Sequence, residues 1–157
     1  MDELSKLLQS NETELLSSID GYQEDIIKTF LSNNSNDYLK SADNWLNATT
    51  ANTSKFGGEP NRAKIYRDKL LDEIEKFICG DHQYDDDRRK IADSADKSQK
   101  YIIGVMSASI GKILGAAGPF IAPVIVLLLL SFGKMATNAW CAMRKDLKNS
   151  TSKSGLG

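Results

Sequence analysis

The sequence predicts an all-α chain: an N-terminal helical head of three to four amphipathic helices, a polar stalk helix and a C-terminal hydrophobic helical hairpin of transmembrane character. Three observations carry this. Apolar residues of the first 80 positions recur at three-and-four spacing through a charged background, as helices with one buried face require. Residues 113–133, a run of 21, carry no charge and are closed by Lys112 and Lys134. Charge is also divided unevenly: positions 1–100 hold 20 acidic and 14 basic residues, whereas 101–157 hold 1 and 6. The overall charge of −1 thus hides two unlike halves, which points to two tasks.

The head, residues 1–80, begins with Leu4, Leu7 and Leu8 in a short amphipathic segment. Asn11 followed three residues later by Glu14 reads as a capping box, in which each side chain accepts the other's backbone amide. Leu15, Leu16, Ile19, Tyr22, Ile26, Ile27, Phe30 and Leu31 then predict one amphipathic helix with Gly21 as its weak point. The run Ser-Asn-Asn-Ser-Asn at 32–36 ends it, because short polar side chains compete for backbone hydrogen bonds. A further helix starts near Asp37, with Tyr38, Leu39, Ala42, Trp45 and Leu46 on one face. Residues 49–60 form a loop by composition. Gly57-Gly58 lacks the following Lys-Ser/Thr pair and the preceding strand that a phosphate cradle needs. From Pro60 or Asn61 a third helix turns Ile65, Leu70 or Leu71, Ile74, Phe77 and Ile78 inward and Asp72, Glu73, Glu75 and Lys76 outward. Gly80 supplies its stop.

Residues 81–100 form the charged stalk. Asp85, Asp86 and Asp87 precede Arg88, Arg89 and Lys90, an order that suits a helix N-terminus. Few apolar anchors follow, and the pattern predicts a continuous helix into Tyr101. His82, the single histidine, has no second His or Cys at ligand spacing, so no metal site is expected. Cys79 and Cys141 lie far apart without metal-ligand spacing and are expected as reduced thiols, which places the head in the cytosol. The acidic opening residues lack the apolar core of a secretory leader. Matches to the N-glycosylation pattern at Asn11, Asn33, Asn47, Asn52 and Asn149 therefore carry no weight.

Residues 101–143 are the membrane candidate. One topology is a hairpin: a helix over 101–117, a turn at Gly118, Pro119 and Pro123, and a second helix to Met143. Basic residues flank both ends, so positive-inside asymmetry puts both flanks and the head on the cytosolic side, at an inner or cytoplasmic membrane. Lys112 opposes insertion by about 2.5–3.5 kcal/mol, against roughly 0.3–0.6 kcal/mol returned per Leu, Ile, Val or Phe. The first helix is marginal alone. A single kinked span between Lys112 and Lys134, and a buried core pair in a soluble oligomer, are the other two topologies.

Ser107, Gly111 and Gly115 fall four apart and let helices approach closely, which favours self-association in lipid. Lys112 and Lys134 would line or rim an opening. Tyr101 and Trp140 stand where an aromatic belt would lie, and residues 144–157 read as a flexible basic tail. The expected function is an oligomeric membrane-acting effector, pore-forming or depolarising, without cofactor, metal or enzymatic chemistry. Its partners would be the lipid bilayer, further copies of the chain and a regulatory protein bound by the head; the head's negative charge disfavours nucleic acid. The alternative is a membrane-anchored adaptor without pore activity. In layout alone the chain resembles small bacterial membrane-acting toxins, phage holins and transmembrane effectors of antiviral defence.

Overall fold

Asn11 and Glu14 cap each other as expected: Asn11 Oδ1 accepts the Glu14 amide at 2.8 Å and Glu14 Oε1 accepts the Asn11 amide at 3.0 Å. The computed structural model describes residues 2–48 and 62–156, with side chains from 3 and up to 150. The loop expected over 49–60, with Gly57-Gly58, lies outside the described residues. Among those described there are nine helices and no strand. They are α1 (Asp2–Gln9), α2 (Glu12–Leu16), α3 (Gly21–Asn33), α4 (Tyr38–Ala48), α5 (Arg62–Cys79), α6 (Asp85–Asp93), α7 (Gln99–Leu114), α8 (Gly118–Ser131) and α9 (Thr137–Leu156).

The single helix expected from Asn11 to Leu31 is two helices. The Ser17 and Ser18 hydroxyls donate back to the Thr13 and Leu15 carbonyls, and Asp20 adopts an extended conformation before α3. This break turns Leu15, Leu16, Ile19 and Ile27 into one core and leaves Tyr22 and Ile26 exposed. Ser35 and Asn36 take left-handed backbone angles at the end of α3, and Gly80 does so after α5. Both stops fall where short polar residues and glycine predict them. Ile65, expected inward, is exposed, whereas Glu73, expected outward, is buried beneath the Tyr84 hydroxyl at 2.6 Å.

The stalk is not continuous. α6 stops at Asp93, and an Ser94-x-Asp96-x-Ser98 stretch turns the chain: Ser94 Oγ accepts from the Asp96 amide, Asp96 Oδ1 from Ser98, and Ser98 Oγ from Tyr101. Lys97 Nζ donates to the Ile91 and Ala92 carbonyls that end α6 and pairs with Glu3 of α1 at 3.1 Å. Arg88, which is buried, donates at 2.9 Å to the Phe77 carbonyl, an acceptor left in the last turn of α5, and at 2.7 Å to the Asp81 carbonyl just beyond it. Residues 81–100 are thus folded onto the body rather than extended from it.

At the centre lies α8. It is apolar all round, so no face of it suits water. Residues 121–129 are buried without interruption, and α7, α4, α5, α2 and α3 all pack against it. The expected separation of head from apolar tail is therefore corrected: head helices form the sheath of the tail's second helix. No single helix among the described residues is long and apolar enough to cross a membrane. Only α7 and α8 together reach that composition, and they are bent by 112°. At ~1.5 Å per residue, α8 with its 14 residues covers ~21 Å against the ~30 Å of a bilayer core. The hairpin's second arm also ends early, because Gly133 turns left-handed and α9 begins as a separate helix.

Candidate functional site

The site is α8 together with the groups that hold it inside. The break before it falls at residues 115–117, not at the prolines. Gly115 takes a left-handed angle (φ 72°), and the Ala116 amide closes the end of α7 on the Gly111 carbonyl at 2.8 Å. Pro119 then sits in the first turn of α8, where its missing amide has no intrahelical partner to lose. Pro123 lies one turn deeper, so the Pro119 carbonyl loses its i+4 donor. Gln23, buried in α3, replaces it: Nε2 donates to the Pro119 oxygen at 2.8 Å. Trp45 of α4 donates its indole N–H to the Phe120 carbonyl at 2.8 Å. Two head residues thus bond directly to the backbone of the apolar helix.

Small residues bring α7 against α8. Ser107 is buried and donates to the Ile103 carbonyl, which leaves no polar hydrogen pointing at α8. A Cβ on Gly111 would stand 2.4 Å from the Ala116 oxygen, and one on Gly118 would stand 3.2 Å from the Ala108 amide nitrogen. Ser107, Gly111 and Gly118 serve contacts within the chain. Gly115 serves the turn.

Of the expected opening-lining groups, Lys112 and Lys134 are both exposed, and Pro119 is exposed while Pro123 is buried. The two expected interface anchors differ. Tyr101 is half-buried, and Trp140 is fully covered, its ring edge-on to Phe132 at 5.7 Å. Between the link joining α2 to α3 and the small faces of α7 and α8 runs a cleft of about 240 Å³, floored by Gly104, Ala108 and Ala122 with Lys100 and Asp20 among its lining.

α9 closes the other side. Cys79 and Cys141 form a disulfide, Cα to Cα 5.8 Å, joining the end of α5 to α9. This corrects the expectation of reduced thiols; the sequence separation of 62 gave no sign that the fold brings them together. Arg144 reaches Glu75 at 2.9 Å and Asp72 at 3.1 Å, and Lys148 adds Glu75 at 3.2 Å. The tail expected to be flexible is helical to Leu156. Ser5 meets Thr137 at 2.9 Å and Gln9 donates to the Met135 carbonyl at 2.8 Å, so α1 holds the link between α8 and α9.

Ionisable groups near the sheath are shifted by their surroundings. Burial pushes the Asp43 carboxyl up against the opposing pull of Arg67, which it meets at 2.8 Å. The Tyr84 phenol is raised by burial and by its bond to Glu73. Hydrogen bonds from backbone and from Lys97 hold Glu3 below the usual carboxylate range. Among the described residues no three His, Cys, Asp or Glu side chains are grouped to hold a metal ion. Comparison with family models, curated proteins and solved structures finds no match to this chain.

Sequence reasoning missed Gln23, the indole N–H of Trp45, Arg144 and the disulfide. Pro123 was the available signal for the first: a proline inside an apolar helix strips one carbonyl of its donor, and something must supply another.

Proposed function

We propose that this protein is a membrane-acting effector that stores its apolar segment inside its own helical sheath and delivers α7 and α8 to a lipid bilayer when the sheath opens. The observation that carries the reading is the uninterrupted burial of residues 121–129 under five amphipathic or polar-faced helices. A helix apolar on every side is most stable in a protein interior or in lipid. Two of the sheath's holds on α8 are single polar contacts, Gln23 on the Pro119 carbonyl and Trp45 on the Phe120 carbonyl. On opening, the small residues that now bind α7 to α8 become available to other copies, which supports oligomeric insertion and leak. Lys112 and Lys134, flanking the run, then face the wet side of the assembly. No cofactor and no catalytic step belong to this reading.

The test is flotation with vesicles of anionic and neutral lipid that hold a self-quenched dye, using the full chain and its Gln23→Leu variant. Binding with dye release, increased by Gln23→Leu, is the expected result. Lys112→Leu should reduce release without reducing binding. Binding without release supports the membrane-anchored adaptor instead, and indifference to vesicles in both forms overturns the proposal.

A further inference from the structure

We propose that the Cys79–Cys141 disulfide is a thiol-addressed latch, whose reduction frees α9 from α5 and uncovers the C-terminal end of α8. The inference rests on the reading of α8 as a stored segment, and it names the control of that store.

The bridge is placed where a reductant can reach it. Cys79 is the exposed partner, at the last residue of α5, whereas Cys141 is half-buried within α9. A dithiol reductant therefore attacks Cys79 Sγ; the S–S bond breaks and Cys141 leaves as the thiolate. The reductant's second thiol attacks its own sulfur in the mixed disulfide and releases Cys79. Two electrons pass to the protein, two protons end on its thiols, and the reductant leaves as a cyclic disulfide.

What remains on α9 is non-covalent and reversible. Arg144 and Lys148 share Asp72 and Glu75, and Asp72 and Lys148 are each nearly half exposed, so salt screens part of this hold. Among the described residues the largest apolar anchor of α9 is Trp140, edge-on to Phe132, with Met143 also packed against the core. That indole N–H is buried without a hydrogen-bond partner, a cost relieved as soon as α9 swings out. Phe132 directly follows α8, so departure of α9 takes Trp140 off the residue that ends the stored helix.

Amide hydrogen exchange on the full chain, with and without dithiothreitol, tests this. Reduction should speed exchange at least tenfold across residues 137–150 and at the end of α8, while α3 and α4 stay protected. The pair Cys79→Ser with Cys141→Ser should match the reduced protein and ignore the reductant. Unchanged protection of α9 in both cases overturns the latch, even where vesicles are bound equally by oxidised and reduced protein. Loosened α9 supports the latch, and if vesicles are then still ignored it is the membrane reading that falls.

Discussion

Two glycines on α7 should respond unequally to the same substitution. Gly104 lies mid-helix, exposed, with nothing within 4 Å of an added Cβ. Gly104→Ala should therefore gain the helix propensity difference, about 0.8–1 kcal/mol. Gly111→Ala earns the same propensity but drives a methyl to 2.4 Å from the backbone oxygen of Ala116, a residue whose amide is bonded to the Gly111 carbonyl. Overpacking of that kind costs about 1–3 kcal/mol. Because propensity cancels between the variants, their difference isolates the clash. For a chain of 157 residues, each kcal/mol moves Tm by roughly 2–4 °C. Urea and thermal unfolding with the disulfide intact should thus place Gly104→Ala above the wild type and Gly111→Ala below Gly104→Ala by about 2–12 °C. Equal stabilisation of both would refute the close packing of α7 on the 115–117 turn. A Gly111→Ala protein of normal stability but altered sedimentation would show that this stripe packs between copies instead.

Other perturbations probe the sheath. Gln23→Leu removes the donor to the part-buried Pro119 carbonyl and should cost about 0.5–1.5 kcal/mol; in a Pro123→Ala background, where residue 123 can donate, the same change should cost less, and urea titration of the four proteins measures the coupling. Trp140→Ala should cost about 3–5 kcal/mol, as for a core aromatic, whereas an exposed lipid-facing ring would cost little. The native state binds the Asp43 proton more tightly than the unfolded chain, so this group's contribution to stability is lost as pH rises from 3.8 through its raised value. Asp43→Asn should remove that loss, and the gap between its Tm and that of the wild type should widen in its favour across the window.

How much of this was legible in the sequence depends on the range of the interaction. Local signals read correctly: the Asn11 and Glu14 box, the stop at Ser35 and Asn36, and Gly80 each act over a few residues. The Ser94, Asp96 and Ser98 side-chain turns act over the same range and were legible in principle, because alternating short polar residues compete with a helix. Their signal was masked by the charge pattern of 85–90. The destination of α8 was not legible. Composition says that residues 113–133 avoid water; it does not say whether lipid or the faces of α3, α4 and α5 replace it. Tyr22 and Ile65 show the same limit, since three-and-four spacing names a face but tertiary packing chooses which members are covered. The pairing of Cys79 with Cys141 depends on where α5 ends relative to α9, which no local pattern encodes.

The covalent ring closed by Cys79 and Cys141 contains α6, α7 and α8 in full. Two residues whose Cα atoms are 5.8 Å apart cannot stand on opposite sides of a hydrocarbon layer ~30 Å thick. While the bond holds, any excursion of the enclosed chain must be a round trip, departing from and returning to one surface. A one-way crossing becomes geometrically open only after the ring is cut.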